Sequence, residues 1–179
     1  MSRELGFEAG ERLLVVVMGV SGCGKSTVAR KLADALGGIH LEGDSLHSPG
    51  NLAKMARGIA LTDEDRWPWL DRIGEAMASF AGPVLVLSCS ALRRSYRDRL
   101  RSRSKATLVF VHLDGAGDLL AQRLAARRGH FMPASMLESQ LATLEHPAGE
   151  PDVVVVGIHK PIEAVVAEAL ARLADTRPR

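Results

Sequence analysis

The apolar run Leu13-Leu14-Val15-Val16-Val17 passes, after Met18, into Gly19, Val20, Ser21, Gly22, Cys23, Gly24, Lys25, Ser26 and Thr27. This string satisfies G-x-x-x-x-G-K-[ST], and a helical spacing follows through Val28, Leu32 and Leu36 until Gly37-Gly38 stops it. Strand, glycine-rich turn and helix in immediate succession point to a parallel α/β sheet, because the turn's N–H groups and the helix dipole must converge on one anion. A glycine turn with only a structural duty would leave Lys25 without a partner, since nothing acidic adjoins it. The residues divide the work. Gly22 and Gly24 permit backbone torsions and a close approach that side chains hinder. Lys25 reaches the β- and γ-phosphates as a compact charge. The Ser26 hydroxyl offers Mg²⁺ an oxygen ligand, and Thr27 adds an α-phosphate contact. Cys23 contributes mainly its backbone N–H; whether its thiol is open to oxidation depends on its surroundings.

The rest of the chain keeps the same alternation. Residues 13–18, 39–41, 84–87, 108–113 and 153–156 read as strands, none with clean alternation, which suits strands covered on both faces. Thr62 followed by Asp63-Glu64-Asp65 marks a helix start, and Pro68 stands close enough to bend it. Trp69, Leu70, Ile73, Met77 and Phe80 supply that helix's apolar stripe, and Ile162, Val165, Val166, Ala169, Leu170 and Leu173 give the last helix a buried face. Five strands with helical crossovers make a three-layer α/β fold, and such sheets bind ligands beyond the carboxyl ends of their strands. With 179 residues and no linker, repeat or low-complexity tract, a single domain over 1–179 is expected, with 1–12 a flexible N-terminus. The net charge of +2 does not favour a nucleic-acid partner, and no run approaches the ~20 apolar residues of a membrane span. The two cysteines make no disulfide framework, so a cytoplasmic protein is expected.

Asp44 follows the second strand, where a carboxylate can accept a hydroxyl proton or hold a magnesium-bound water. A helix cap is its purely structural alternative. His47, Asn51, Lys54, Arg57 and Arg66 bring donors into the same segment, which suits an oxygen-rich, anionic acceptor. Trp67 and Trp69 are read as packing rather than as sugar platforms. After the third strand, Ser88-Cys89-Ser90-Ala91 holds no magnesium-organising acid; its small residues leave room for the acceptor, and Ser90 and Arg93 can bind its oxygens. Arg93, Arg94, Arg97, Arg99, Arg101, Arg103 and Lys105 form a dense basic run. With Asp98 inside it and Tyr96 its lone aromatic, it reads as a solvated helix rather than an RNA-binding face, Arg93 excepted. Asp114-Gly115-Ala116-Gly117 matches the D-x-x-G of GTP switches, but no N-K-x-D follows, so Asp114 reads as a strand-end or capping residue. The adenine edge is expected near 157–161. The residues alone stop at a kinase of a small anionic or polyhydroxy compound, with a GTP switch and an RNA-binding ATPase as rivals from other classes.

Longer motifs narrow this. G-V-S-G-C-G-K-S, G-D-S-L-H with Asn51 and Lys54-Met55 behind it, and D-E-D-R-W-P-W-L resemble, in order, the gluconokinase family. So do C-S-A-L-R-R-S-Y-R-D-R-L-R from Cys89 and R-G-H-F-M-P from Arg128, and the likeness includes Ser139-Gln140 and Leu144-Glu145. The resemblance implies a P-loop NTPase/kinase fold, with a five-stranded parallel sheet ordered 2-3-1-4-5 and a helical lid over about 123–147. It implies ATP and Mg²⁺ as cofactors and phosphorylation of D-gluconate to 6-phospho-D-gluconate, with a homodimer as a common assembly. Residues and resemblance together put Lys25, Asp44 and Arg127 in catalysis and Ser26 on the metal. They assign nucleotide contacts to 19–27 and Arg123, and acceptor contacts to Asp44, His47, Lys54, Arg57, Arg66, Ser90, Arg93 and His130. Arg123, Arg127 and Arg128 lie in R-L-A-A-R-R-G-H, which resembles a lid that closes over the triphosphate and excludes water. Three positions depart from the family's usual pattern: Ser48 intervenes before Pro49, Ala60 stands where proline is common, and Arg93 replaces a lysine. The first two bear on sugar preference, and a shikimate kinase relative is the nearest rival.

Overall fold

Along β1 (Leu13–Met18) successive side chains enter opposite layers, and all of them are buried. Leu13, Val15 and Val17 join one apolar cluster, whereas Leu14, Val16 and Met18 join another. That division is the three-layer architecture in miniature. The structure is a computed structural model and describes residues 12–104, 106–126 and 134–176. After β1 come α1 (Lys25–Leu36), β2 (Ile39–Glu42), a 3₁₀ turn (Gly43–Leu46), α2 (Pro49–Ala56), α3 (Asp63–Ser79) and β3 (Val84–Ser88). Then follow α4 (Arg94–Arg103), β4 (Thr107–Asp114), α5 (Gly117–Ala125), α6 (Ala134–Thr143), β5 (Val153–Gly157) and α7 (Ile162–Asp175). The strands pair in parallel in the order β2-β3-β1-β4-β5, as the resemblance implies. The strand that feeds the glycine-rich turn is therefore central, and the turn opens where the chain's connections diverge to either side.

One layer is α1 and α7 over β1, with Val28, Leu32, Val165 and Ala169 at its centre. The opposite layer is α3 and α4, with Trp69, Leu70, Ile73, Tyr96 and Leu100. Coverage on both faces holds for β1 and β3 but fails at β2, where Ile39 is 60% exposed. An outermost strand lies beyond the reach of helices centred on the sheet. Local chemistry sets the helix limits. Gly37, left-handed at φ 64°, ends α1 by turning its N–H onto Ala33 O and Asp34 O. Thr62 and Asp65 form a reciprocal capping box at the start of α3, a motif whose cap alone contributes about 1 kcal/mol. The helix runs on through Pro68, which lacks the N–H that would pair with Glu64 O.

The basic run is a solvated helix only in part: Arg94 and Arg103 are exposed, Lys105 lies outside the described residues, and the rest of the run is buried or ion-paired. Arg97 is wholly buried; its guanidinium donates to Ala91 O at 2.9 Å, Leu92 O at 3.1 Å and Glu145 O at 3.1 Å, and pairs with Glu150 at 2.5 Å. Arg101 holds Asp152 through two bonds of 2.7 Å, and Arg99 and Arg103 share Asp71 of α3. Apart from Asp98, which pairs with Arg94 and Arg101, the acids that neutralise this face lie far away in sequence, so a local count of charges misses them. Among the described residues no helix is long and apolar enough to cross a membrane.

Candidate active site

The loop between β1 and α1 is shaped by backbone. Gly22 has φ +85°, and a Cβ there would lie 2.9 Å from Leu124 Cγ of α5, so only glycine fits without strain. Gly24, at φ 95°, turns the chain into α1. Gly19 N donates to Ser90 O at 3.2 Å, joining the loop to the segment after β3. Ser21 N donates to Gln140 Oε1 of α6 at 2.7 Å. Lys25 Nζ rests on Val20 O at 3.1 Å. Cys23 is buried, and burial pushes its thiol upward in pKa against the opposing charge of Lys25. A protonated, enclosed thiol is a poor target for oxidants, so an oxidation switch at Cys23 finds no support. Arg123 Nη2 donates to Ile158 O at 2.7 Å, fastening α5 to the loop after β5 where the adenine edge is expected.

Beyond the loop lies a cleft of about 100 Å³. The phosphate loop contributes Ser21 and Lys25 to its lining, the acceptor segment and α3 contribute Asp44, His47, Met55, Ala60, Leu61, Arg66 and Trp69, and Ser90, Leu92, Met136, Ser139 and Gln140 complete the wall. Asp44 sits in the 3₁₀ turn that caps β2. Gly43 packs so closely on Ser88 O that a Cβ has no room, and Trp69 Nε1 donates to Gly43 O at 2.8 Å. These contacts fix the turn that carries Asp44. The crowding protein around this side chain raises its pKa, Lys25 works against the rise and Glu42 adds to it. Yet the side chain is 64% exposed. Solvent therefore offsets part of the desolvation, and the upward shift that remains makes this carboxylate a better proton acceptor.

His47 is buried, and its ring stacks on Trp69 with centroids 4.1 Å apart. Burial first, then Arg72 and Arg66, lowers its pKa to about 4, so it is neutral at physiological pH. Asn51 Nδ2 donates to Asp65 O at 2.8 Å and faces His47 Nδ1 at 3.2 Å. An amide NH₂ only donates, so Nδ1 is the acceptor and Nε2 carries the ring's proton. Nε2 lies 3.9 Å from Asp44 Oδ1, and His47, which lines the cleft, has a neutral N–H to offer there. Arg66 donates to Tyr96 OH at 3.1 Å; Tyr96 donates to Asp63 Oδ1 at 2.5 Å, and Arg93 donates to Asp63 Oδ2 at 2.8 Å.

The cleft therefore brings together Ser21, Lys25, Asp44, His47, Arg66 and Ser90 from the expected set. Lys54 is turned onto Asp65 through two bonds of 2.7 Å, Arg93 onto Asp63, and exposed Arg57 onto Ala53 O of its own helix. None of those three lines the cleft. Arg127 and His130, with Arg128 between them, lie outside the described residues. Asp114 is the last residue of β4, consistent with a strand-end position, and Ala116 caps α5. Sequence reasoning missed Asp63 and Tyr96, which orient two arginines, and it assigned Trp69 to packing alone, although Trp69 also walls the cleft. Spacing carries no trace of the first pair, because Asp63 and Tyr96 are on different helices.

Residues 14–147 match the family described as AAA domain. A gluconokinase of Gluconobacter oxydans is 50% identical over 160 residues, covering 87% of this chain and 88% of its own. The thermoresistant gluconokinase of Escherichia coli is 44% identical over 160 residues, covering 88% and 91%. The crystal structure of a gluconokinase from Sinorhizobium meliloti superposes with a TM-score of 0.84 at 53% identity, covering 90% of this chain and 91% of that one. The chain belongs to the gluconokinase family. Two departures from the family's usual pattern have visible places. Ser48 caps α2 by accepting Asn51 N at 3.1 Å, with Pro49 at the first helical position, and Ala60 stands in the cleft wall.

Proposed function

We propose that the chain transfers the γ-phosphoryl group of ATP to D-gluconate, giving ADP and 6-phospho-D-gluconate. The observation that carries this reading is the shared cleft: the phosphate-loop lysine and the donors of the acceptor segment line one cavity. The kinship with gluconokinases supplies the substrate class. Loop N–H groups and Lys25 would bind the β- and γ-phosphates, with Lys25 leaving Val20 O to do so. Arg66 and His47 would hold the acceptor's oxygens, and Asp44 would take the proton of the attacking hydroxyl as the bond from γ-phosphorus to the bridging oxygen breaks. Ser26, with Asp44 acting directly or through a bound water, would offer Mg²⁺ the oxygen ligands it prefers. When bound, that ion would neutralise charge on the phosphate oxygens. Arg123 would support the nucleotide from the side of the loop after β5, and Arg127 and His130 would complete the lid. A cytoplasmic setting fits this chemistry, since ATP is found there. ATP consumption measured against a panel of sugar acids, shikimate and nucleoside monophosphates tests the proposal. Selective turnover of gluconate is expected; faster turnover of shikimate or a nucleotide would replace it.

A further inference from the structure

The carboxyl end of β4 carries a second constellation, none of whose members lines the cleft. His112 and Asp114 are two apart on one strand and share a face, and His146, beyond α6, comes to meet them. One ligand atom from each lies within 4.8 Å of the others. His112 is only 1% exposed, and its Nδ1 is sealed from solvent with no hydrogen-bond partner among the described residues. The rings of His112 and His146 meet edge to face at 5.1 Å between centroids. His146 Nε2 stands 3.9 Å from Asp114 Oδ1, too far for a hydrogen bond. An unclosed carboxylate–imidazole gap beside a buried nitrogen without a protein partner is a place where a further ligand would find donors.

The approach of His146 is fixed. The preceding residue donates from Glu145 N to Leu92 O at 2.9 Å and accepts at Glu145 O from buried Arg97 at 3.1 Å. Asp114 and His146 are about half exposed, at 49% and 48%, while the backbone of His112 is held by the sheet. A tetrahedral centre with bonds of about 2.0–2.1 Å needs ligand atoms roughly 3.3 Å apart. Rotation of the two exposed side chains can close the remaining distance. Two imidazoles and one carboxylate suit a borderline transition-metal ion; Mg²⁺ and Ca²⁺ prefer oxygen alone. We propose that His112, Asp114 and His146 bind a single Zn²⁺-class ion, with an open fourth position, at a site distinct from the nucleotide cleft. The ion would tie the central part of the sheet to the segment leaving α6, whose Met136, Ser139 and Gln140 wall the cleft.

Tag-free protein, without nucleotide or magnesium, is titrated with Zn²⁺ by calorimetry and with Co²⁺ by absorption. One ion per chain is expected. The Co²⁺ bands should be those of a four-coordinate nitrogen and oxygen centre, with no sulfur-to-cobalt charge transfer, which separates this site from Cys23 and Cys89. Zn²⁺ should raise the melting temperature of the wild type. His146→Ala and, independently, Asp114→Asn should each weaken Zn²⁺ at least about tenfold, the loss that even an outer-shell partner causes. Ion-free melting curves of these variants should match the wild type, and Ser26→Ala should keep wild-type Zn²⁺ affinity. Absence of saturable uptake, undiminished affinity in His146→Ala and Asp114→Asn, or loss of the ion in Ser26→Ala would overturn the proposal.

Discussion

The loop of residues 19–27 and the segment of residues 44–66 face one cleft and are held in different ways. The loop is fixed through its main chain: left-handed glycines, Gly19 N on Ser90 O, and Ser21 N on the Gln140 side chain. The acceptor segment is fixed largely through side chains gripping side chains: Lys54 on Asp65, Asn51 beside His47, and Arg66, Tyr96, Asp63 and Arg93 in one chain of contacts. A phosphate offers the same oxygens whatever it is attached to, so backbone N–H groups suffice to bind it. A particular array of hydroxyls and a carboxylate needs directed donors, and each donor needs a partner to aim it.

The sharpest way to break this contrast is Lys25→Met, the side chain on which the donor half most depends. Turnover should fall about 10³-fold or more with the melting temperature nearly unchanged, in a coupled ADP assay. Near-wild-type turnover would dissolve the division. Asp44→Asn should lower kcat by between about 10² and 10³ while the KM for ATP stays close to wild type. An effect confined to the KM for ATP would move Asp44 to the donor half. Arg97→Ala strikes the junction of α4 with the segment after β3 and residues 145–150, outside both regions, and should cost about 3–5 kcal/mol in denaturant unfolding, because a buried acid loses its chief partner. Glu150 carries the pH signature of that junction: Arg97 first, then Arg101, holds its carboxyl down to about 2. A depressed folded pKa means that its contribution is fully present above the ordinary carboxylate range and lost as pH falls toward 2. Melting temperatures of the wild type should decline across that window, and those of Arg97→Ala should decline less. Tyr96→Phe removes the hydroxyl between Arg66 and Asp63; the KM for gluconate should rise roughly 2–10-fold at nearly constant KM for ATP. Arg57→Ala should leave both KM values within about twofold, as expected of an exposed side chain bonded only to its own helix. A tenfold rise in the gluconate KM would return Arg57 to the acceptor wall.

The same contrast explains what could be read in advance. The glycine-rich loop and the last helix were legible because local pattern and motif determine them, whereas the sheet order was legible only through the resemblance to gluconokinases. Asp44 and His47 were legible too, being on the turn that directly follows β2. The aim of Lys54 and Arg93 toward Asp65 and Asp63 was not, since a basic residue near a site looks the same whether it faces ligand or acid. Arg97 was the largest misreading. Its helix position resembles that of its exposed neighbour Arg94, and its burial depends on carbonyls of residues 91, 92 and 145 and on Glu150, groups that come together only when the sheet has formed. The exposure of β2 escaped the apolar pattern, which reads the same for an edge strand, although the order implied by the resemblance places β2 at an edge.

An indole seated between the imidazole of His47 and the backbone of Gly43 makes this protein its own optical gauge. Whatever enters beside Trp69 changes the polarity that its excited state senses, while Trp67, edge-on to Tyr96 and under Arg99, supplies a steadier background. Emission from an unlabelled sample can then follow filling of the pocket in real time, apart from any chemistry that comes after.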